Sequence, residues 1–497
     1  MWLAEILARN RQQRPGSAAV VDGDRTLTWS ELYDRSRALA GALRERGVGP
    51  GARVGVLSRN RLEALETYFA VTWLGAAFVP LNYALAAEEL TEVTGRVGVR
   101  PVLGEPELLD GTGLPAADLL GFDDPAYRAG VSGVPPGDLT GGGLDDPMAI
   151  LLTSATTGRP KAVVQTHRAM MQMSLGWLAA VPTEPDMVLL NLNPLSHSSI
   201  QVTIAYMAAG ATIVVLPSLT PQGTLAEIER SRVTHVWLVP QMLRFLLKAK
   251  ALAGTDTSSL REILHGAAPV SAALLREAGQ TLPCRFRNVY GMTEMGGPFA
   301  TVSTGELTPD GDAWPGGRGI PGLLVQIQDA AGAELPVRQI GEVCVRGLGM
   351  MREYWGEPEA TAEAVRAGWL RTGDIGWMDE RGYVYLVDRA KDMLIRGGQN
   401  VYPAEIERCL LQRPEVADAA VIGVPDEDWG ESPVAYVVLE DGTPPEPQTA
   451  AALTRDLRDR LASYKVPTEL LFVEEIPRNG AGRALKRVLR SGYAAHP

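Results

Sequence analysis

Cysteine is scarce in this 497-residue chain, where only Cys284, Cys344 and Cys409 occur. The three lie far apart and lack the paired spacing of a disulfide framework or a zinc site, so both are disfavoured. We expect them to be small buried hydrophobic side chains in a reducing compartment.

Long apolar runs and basic runs are also absent from the sequence. No stretch is long and apolar enough to span a bilayer, and residues 1–11 interrupt their apolar side chains with charge, unlike a signal sequence. A formal net charge of -12 without a basic run argues against electrostatic capture of nucleic acid or an anionic membrane. We therefore expect a cytoplasmic protein, without a membrane span, that acts on a small molecule.

Lysine is the third scarce residue type, since most of the basic charge comes from arginine. The lysines are Lys161, Lys248, Lys250, Lys391, Lys465 and Lys486. Because lysine is so rare, each lysine that is present, and each position where a lysine is expected but missing, is informative about function.

The composition is otherwise that of an ordinary globular protein, with 45% hydrophobic and 21% charged residues. Short apolar runs alternate with helical patterns, which favours parallel sheets covered by helices and an α/β fold. The predicted elements are strands at 148–152, 188–192, 211–216 and 236–239 and helices at 167–180 and 241–251.

The length of the chain predicts more than one packed unit. A compact pattern begins beyond Arg389, with strands near 419–424, 433–439 and 470–473 and a charged helix at 449–462. We therefore predict a large N-terminal domain of helix-covered sheets over residues 1–388, followed by a small α+β domain that extends to residue 497.

The segment from Leu151 to Lys161 leaves an apolar strand and enters a loop crowded with hydroxyl groups, a glycine and two cations. Backbone N–H groups, hydroxyl groups and a cation are what a polyphosphate requires. An ordinary polar turn between a strand and a helix would look similar, so this segment alone leaves both interpretations open. The Gly-Lys-Ser/Thr ending of a Walker loop is absent, which disfavours a kinase or a conventional ATPase.

This loop resembles the phosphate loop of the adenylate-forming superfamily, which includes acyl-CoA synthetases, luciferases and the adenylation domains of peptide synthetases. Further segments resemble family motifs in the same order, at 193–197, 265–269, 290–294, 371–374 and 389–392. Six matches in order are far more specific than any one alone. The resemblance implies two half-reactions: a carboxylate attacks the α-phosphate of Mg-ATP, and a thiol then displaces AMP from the acyl adenylate.

The resemblance implies a nucleotide site for ATP, AMP or an acyl adenylate. Within it Tyr290 would face adenine, Thr293 the phosphate and Glu294 a Mg²⁺ ion, while Asp374 and Arg389 would hold the ribose. The other implied nucleotide-binding positions are Thr153, Ser154, Ala155, Thr156, Thr157, Gly158, Lys161, Gly266, Ala267, Ala268, Pro269, Gly291 and Met292.

The resemblance also implies CoA as the thiol substrate and a hydrophobic carboxylic acid as the acyl donor. The resemblance further implies a hinge at 389–392, with Lys391 as its pivot, and a mobile C-terminal domain over residues 393–497. His197 would be a gating ring where amino-acid activation requires an aspartate. The implied CoA-binding positions are Gly397, Gly398, Gln399 and Asn400. The acyl-binding positions, which suggest a roomy pocket, are His197, Ile200, Trp237, Gly291, Met292, Met295 and Gly296.

Two departures from the family pattern fall on the adenylation half. Arg483 stands where the family presents a lysine that bridges the substrate carboxylate and the α-phosphate, and Ala155 stands where its phosphate loop usually has glycine. Arginine keeps the charge but is longer and planar, so the replacement is not conservative in a tight site. A β-carbon at residue 155 would crowd a loop that wraps a triphosphate.

Three functions stay open at this point. The first is an acyl-CoA ligase impaired in adenylation, which converts an acyl adenylate made by a separate enzyme into acyl-CoA. The second is a complete two-step acyl-CoA synthetase in which Arg483 or Lys486 does the lysine's work. The third is a pseudoenzyme that binds acyl adenylate. We favour the first, because both departures weaken the same half-reaction while the segment for CoA is intact.

Overall fold

The fold was analysed in a computed structural model. It describes the chain except for residues 1–2, 138, 140–141, 154–159, 185, 197–198, 218–219, 269, 271, 305–314, 479–483 and 495–497. The α/β class predicted from the alternation of strands and helices is confirmed, with a large N-terminal and a small C-terminal domain.

The strands of the described residues are β1 Ala18–Asp22, β2 Arg25–Thr28, β3 Arg53–Leu57, β4 Ala77–Leu81, β5 Val102–Gly104, β6 Leu119–Gly121, β7 Pro147–Leu152, β8 Ala162–Thr166, β9 Val188–Asn191, β10 Thr212–Val215, β11 His235–Leu238, β12 Glu262–Gly266, β13 Arg285–Met292, β14 Gly297–Ser303, β15 Gly317–Gly319, β16 Leu323–Gln328, β17 Gly341–Gly347, β18 Glu353–Tyr354, β19 Val365–Arg366, β20 Trp369–Met378, β21 Tyr383–Arg389, β22 Leu394–Arg396, β23 Gln399–Val401, β24 Val416–Asp426, β25 Gly430–Leu439 and β26 Glu469–Phe472.

The α-helices of the same residues are α1 Glu5–Gln13, α2 Trp29–Glu45, α3 Leu62–Trp73, α4 Ala87–Val97, α5 Pro106–Leu109, α6 Pro125–Val131, α7 His167–Ala180, α8 Ser199–Ala209, α9 Pro221–Arg230, α10 Pro240–Lys248, α11 Ala272–Thr281, α12 Pro358–Ala364, α13 Pro403–Leu411, α14 Pro447–Arg460 and α15 Lys486–Ala494. No helix in the described ranges combines the length and the apolar character needed to cross a bilayer.

Local sequence fixes where several helices begin. Thr28 and Glu31 form a capping box, since the Thr28 hydroxyl accepts from the Glu31 amide and the Glu31 carboxylate accepts from the Thr28 amide. The Thr166 hydroxyl accepts from the amide of Ala169 at 3.1 Å, so α7 begins directly after β8.

The larger sheet has two halves with different strand directions. Its order in the described chain is β16-β17-β20-β21-β15-β14-β13-β12-β11-β9-β10-β1-β2, with β19 beside β20. The strands from β1 to β13 run parallel, as the sequence predicted. In the other half of the sheet, which extends in the order above from β13 to the edge strand β16, neighbouring strands are antiparallel. The prediction of parallel sheets was therefore wrong for this half.

A second sheet of the large domain has the order β18-β8-β7-β4-β3-β5-β6. The neighbouring strands β6, β5, β3, β4 and β7 are parallel to one another. The pairs β7–β8 and β8–β18 are antiparallel. The loop after β7, which carries the predicted phosphate segment, therefore leaves the carboxyl end of a parallel strand, where α/β proteins bind ligands.

The small domain is built on the sheet β23-β22-β25-β24, with β26 beside β25. Ile406 and Leu410 of α13 pack with Leu453 and Leu457 of α14 and with Val421 of the sheet. The predicted strands and helix of this region lie within β24, β25, β26 and α14 or overlap them, with ends displaced by a few residues.

Candidate functional site

The carboxyl ends of β9, β11, β12 and β13 bring the predicted motifs together at one edge of the large sheet. Gly266 ends β12 in close contact with its neighbours: a β-carbon there would lie 2.2 Å from the carbonyl oxygen of Val289 and 3.3 Å from the Trp237 ring. Ala267 follows with a φ of 64°, in the left-handed region that favours glycine. Burial lowers the pKa of the adjacent His265 to about 3, so its ring is neutral.

Three predicted nucleotide residues form one connected cluster. The Tyr290 hydroxyl donates to Oδ2 of Asp374 at 2.7 Å, and Nε of Arg389 lies 3.0 Å from Oδ1 of the same carboxylate. Burial and the Asp374 charge hold the pKa of Tyr290 well above its usual range, so the phenol keeps its proton. Because each carboxylate oxygen has two lone pairs, Asp374 can still accept from ribose hydroxyl groups.

Thr372 holds the backbone of Asp374 from within β20. Its hydroxyl donates to the carbonyl oxygen of Val343 at 2.8 Å and accepts from the Asp374 amide at 3.1 Å. The Tyr290 ring packs on Phe299, with centroids 4.7 Å apart. The cluster is therefore fixed by the sheet on both sides.

A second cluster joins the predicted phosphate and metal residues through Tyr354, which the sequence did not indicate. The Tyr354 hydroxyl donates to Oε1 of Glu294 at 2.7 Å, and Nζ of Lys161 lies 4.5 Å from the centroid of the Tyr354 ring. Burial, with the Glu294 charge, raises the pKa of Tyr354. The backbone next to Glu294 is also held in place, because the side-chain amide of Gln165 donates to the carbonyl oxygen of Thr293 at 2.9 Å.

Glu294 suits a Mg²⁺ ion that is carried by a nucleotide. Mg²⁺ is usually held by one or two carboxylates and by substrate phosphates. Within the described ranges no group of three or more His, Cys, Asp or Glu side chains could hold a metal ion. A single carboxylate, linked through Tyr354 to Lys161 at the base of the predicted phosphate loop, is consistent with that chemistry.

The described part of the phosphate segment is the base of its loop. Thr153 and Lys161 close it, because the Thr153 amide donates to the Lys161 carbonyl at 2.9 Å and the Lys161 amide donates to the Thr153 hydroxyl at 3.1 Å. The predicted positions Ser154, Ala155, Thr156, Thr157 and Gly158 lie outside the described residues, as do His197, Pro269 and Arg483.

Gly397 and Gly398 form the turn of the β22–β23 hairpin. Arg396 pairs with Gln399, and the two glycines between them have φ values of 55° and 78°, as a two-residue type I′ turn requires. A β-carbon on Gly397 would lie 2.7 Å from the Trp429 ring, whereas one on Gly398 would meet no atom within 4 Å. The turn explains both glycines, and the CoA-binding role of this segment stays a prediction.

The predicted hinge segment adjoins a partly buried charged cluster of Asp388, Glu407 and Lys486. Nζ of Lys486 lies 2.8 Å from Oε1 of Glu407, and Asp388 accepts from the amide of Ala404 at 2.8 Å. Burial raises the pKa of Asp388 to about 6, against the opposing effect of the Lys486 charge. Burial alone would lower the pKa of Lys486, but the charges of Glu407 and Asp388 raise it.

The predicted acyl residues separate into two groups. Ile200, Trp237 and Met295 are buried in hydrophobic clusters of the core, whereas Gly296 lines a cleft between α7 and α8. The sequence analysis did not identify the other residues of this cleft, although those on α7 and α8 have the spacing of one helix face. They are Met170, Met173, Ser174, Trp177, Gln201, Val202, Ala205 and Pro298.

The family comparison covers most of the chain. The AMP-binding enzyme family matches residues 7–355, and the AMP-binding enzyme C-terminal domain matches residues 405–483. A feruloyl-CoA synthase of an Amycolatopsis species is 37% identical over 98% of this chain and 98% of the relative. The fatty acid–[acyl-carrier-protein] ligase ScoC of Streptomyces coeruleorubidus is 34% identical over 99% of this chain and 96% of its own.

Solved structures agree in fold. The o-succinylbenzoate CoA synthetase of Bacillus subtilis, in complex with its acyl-adenylate intermediate, has a TM-score of 0.86 at 28% identity and covers 98% of each chain. The amide bond synthetase McbA of Marinactinospora thermotolerans has a TM-score of 0.86 at 31% identity, over 99% of this chain and 100% of its own. This chain is therefore a member of the AMP-binding enzyme family, in the adenylate-forming superfamily that its motifs resemble, and is an acyl-CoA ligase-type enzyme.

Proposed function

We propose that this enzyme makes an acyl-CoA thioester from an acyl adenylate and CoA, and that adenylation of the free acid is its impaired half-reaction. A hydrophobic carboxylic acid would supply the acyl group. The acyl adenylate would come largely from a separate adenylating enzyme. The observation that carries the proposal is the placement of Lys486.

Lys486 is the lysine nearest in sequence to Arg483 and the obvious substitute for the absent family lysine. Its side chain is only 13% exposed and pairs with Glu407 at 2.8 Å, beside Asp388. Withdrawing it would leave the partly buried Glu407 carboxylate without its cation, which is costly. Lys486 is thus poorly suited to reach a carboxylate and an α-phosphate, and that work falls to Arg483.

The second half-reaction makes smaller demands on the protein. The thiolate sulfur of CoA attacks the acyl carbonyl carbon, the bond from that carbon to the phosphate oxygen breaks, and AMP leaves with the electron pair. AMP is a good leaving group and a thiol of pKa about 8.5 is a competent nucleophile, so positioning dominates. Tyr290, Asp374 and Arg389 would hold the nucleoside during this step.

A complete two-step ligase is the second candidate, and the contact of Glu294 with Tyr354 beside Lys161 favours it. In adenylation a carboxylate oxygen bonds to the α-phosphorus, the bond from that phosphorus to the bridging oxygen of the β-phosphate breaks, and pyrophosphate departs with its electron pair. Glu294 would hold a nucleotide-borne Mg²⁺ ion, which would supply charge neutralisation there, and Lys161 would orient the triphosphate.

Separate assays of the two half-reactions decide between these functions. ATP–pyrophosphate exchange measures adenylation, and AMP release from synthetic acyl adenylate with CoA measures thioesterification. We expect weak exchange and ready, thiol-dependent AMP release across a panel of hydrophobic acids. Robust exchange with any acid would instead establish the complete ligase, and failure of both assays with retained adenylate binding would establish the pseudoenzyme.

A further inference from the structure

Tyr354 lies where two segments of the candidate site meet. Its short strand β18 pairs with β8, so that Tyr354 lies opposite Val163, two residues beyond Lys161. Three residues before Tyr354, the amide of Met351 donates to the carbonyl oxygen of Glu294 at 2.7 Å. The backbone around Tyr354 is therefore held both to the end of the phosphate segment and to the residue that suits the metal ion.

The hydroxyl group of Tyr354 fixes one oxygen of the Glu294 carboxylate. It donates to Oε1 at 2.7 Å, and Tyr354 itself is only 5% exposed. Each carboxylate oxygen has two lone pairs, so this bond leaves Oε2 and one lone pair of Oε1 for a cation. A carboxylate that binds a metal is commonly oriented by such a hydrogen bond, whose loss lowers metal affinity about 10- to 100-fold.

The ring of Tyr354 makes the second contact. Nζ of Lys161 lies 4.5 Å from the ring centroid, within the limit of about 6 Å for a cation–π interaction. An ammonium group has three N–H donors and the ring face attracts it without a hydrogen-bond acceptor, so the donors stay available to phosphate oxygens. One side chain thus contacts both the carboxylate and the cation of the predicted triphosphate site.

A comparison with Tyr127 separates this arrangement from a purely structural one. The Tyr127 hydroxyl also donates to a buried carboxylate, that of Glu66, at 3.0 Å. Glu66 is neutralised by a salt bridge with Arg35. Glu294, in contrast, forms no salt bridge with any residue that the structure describes. A half-buried carboxylate without a protein cation is suited to a cation that arrives with a ligand.

We infer that Tyr354 is a positioning residue: it orients Glu294 toward the Mg²⁺ ion of a bound nucleoside triphosphate and seats Lys161 beside the phosphates. Tyr354 acts through these two side chains and does not itself have to touch the nucleotide. The inference rests on the metal and phosphate roles proposed for Glu294 and Lys161. It applies whether adenylation is complete or impaired, because binding of the triphosphate precedes that step.

The test measures binding, so it does not depend on turnover. An ATP analogue with a methylene group between its α- and β-phosphates is titrated by calorimetry with Mg²⁺ and with EDTA. Tyr354→Phe removes only the hydroxyl, and Tyr354→Met removes the ring as well. Tyr127→Phe is the matched control, because it removes a buried hydroxyl that donates to a carboxylate in another part of the domain. Titration with AMP reports whether each variant is folded.

We expect Mg²⁺ to tighten binding of the analogue to the wild type. In Tyr354→Phe this Mg²⁺-dependent gain should fall about tenfold, whereas the Kd in EDTA should hardly change, because the ring still contacts Lys161. Tyr354→Met should lose the same gain and also weaken binding in EDTA about 3- to 10-fold. Tyr127→Phe should match the wild type in both media. Tyr354→Leu replaces Tyr354→Met if the latter no longer binds AMP.

Three results would overturn the inference: no Mg²⁺ effect in the wild type, an unchanged effect in Tyr354→Phe, or a larger one. A larger effect would show that the hydroxyl competes with the metal for Glu294. Binding in EDTA that is equal in the Phe and Met variants would remove the role of the ring.

The proposed function is tested separately, by AMP release from acyl adenylate and CoA with the wild type. Failure of that reaction, with the Mg²⁺ effect dependent on Tyr354 as expected, would refute the proposed function and leave the positioning role standing. Ready AMP release together with a Mg²⁺ effect that does not depend on Tyr354 would do the reverse.

Discussion

The hydroxyl of Tyr290 donates to Oδ2 of Asp374 at 2.7 Å, although 84 residues separate them in the sequence. One lies at the end of a parallel strand and the other in the antiparallel half of the same sheet. The nucleotide site therefore depends on the junction between the two halves, and this contact is its most direct test.

Tyr290→Phe should weaken AMP binding about 3- to 30-fold, because Asp374 loses a donor that holds it toward the ribose. Calorimetric titration of AMP measures this. Tyr68→Phe is the matched control, since that buried hydroxyl lies 3.1 Å from Met148 Sδ in the core and should leave the Kd unchanged. Unaltered AMP affinity in Tyr290→Phe would show that the contact does not serve the nucleotide.

The parallel half of the large sheet was predictable because its strands are short apolar runs between helices. The antiparallel half was not, and β20 shows why. The buried positions of this strand include Thr372 and Asp374 as well as Leu370. Polar residues on the inward face remove the alternation of apolar and polar residues that indicates a strand, so only the motif at 371–374 was noticed.

The site was predictable where a motif is continuous in sequence and not where partners come from distant elements. Glu294 was identified within its motif, but Tyr354, which holds it, lies 60 residues further along in the short strand β18. Gln201 was missed for a similar reason. Its amide lies close to the left-handed backbone at Gly296 and Gly297, a contact that no local pattern in α8 reveals.

Gly398→Leu should reduce thioester formation from acyl adenylate and CoA at least tenfold if the β22–β23 turn lines the CoA passage. The φ of 78° also strains any side chain there, by about 1–2 kcal/mol. Gly332→Leu controls for this strain, because Gly332 has a φ of 88° with no neighbour within 4 Å in another turn. Equal CoA turnover in the two variants would remove this segment from the CoA site.

Asp388 should make stability depend on pH. Burial raises its folded pKa to about 6, above the value of about 3.9 in an unfolded chain. The folded state thus binds the proton more tightly, and the stabilisation is fully present below about pH 3.9 and is lost as the pH rises through 6. Asp388→Asn removes this titration, so its unfolding free energy relative to the wild type should rise by about 1–3 kcal/mol from pH 4 to 7.

Urea unfolding at each pH measures that difference. Asp145→Asn provides a contrasting control, because the Arg168 guanidinium lowers the pKa of Asp145 and the linkage has the opposite sign. A flat difference for Asp388→Asn between pH 4 and 7 would show that the carboxyl titrates normally.

Arg483 is the residue on which the proposed split between the two half-reactions depends. Arg483→Lys should raise ATP–pyrophosphate exchange on the order of 10²-fold, because a compact ammonium group can bridge carboxylate and α-phosphate where a planar guanidinium cannot. Adding Ala155→Gly should raise exchange further, and thioester formation from supplied adenylate should hardly change. Exchange that is already high in the wild type, or that Arg483→Lys fails to raise with a well-bound acid, would contradict the proposal.

Lys486→Met tests whether Lys486 only stabilises the fold or also replaces the missing family lysine in adenylation. Removing the cation leaves the partly buried carboxyl groups of Glu407 and Asp388 beside each other, so the variant should lose about 1–3 kcal/mol of stability. Exchange per folded molecule should nevertheless stay at the wild-type level, with the folded fraction taken from circular dichroism at the assay temperature. Because Lys486→Met and Glu407→Gln together remove both members of the ion pair, the double variant should recover part of the stability. Loss of exchange in the double variant despite that recovery would assign Lys486 to adenylation.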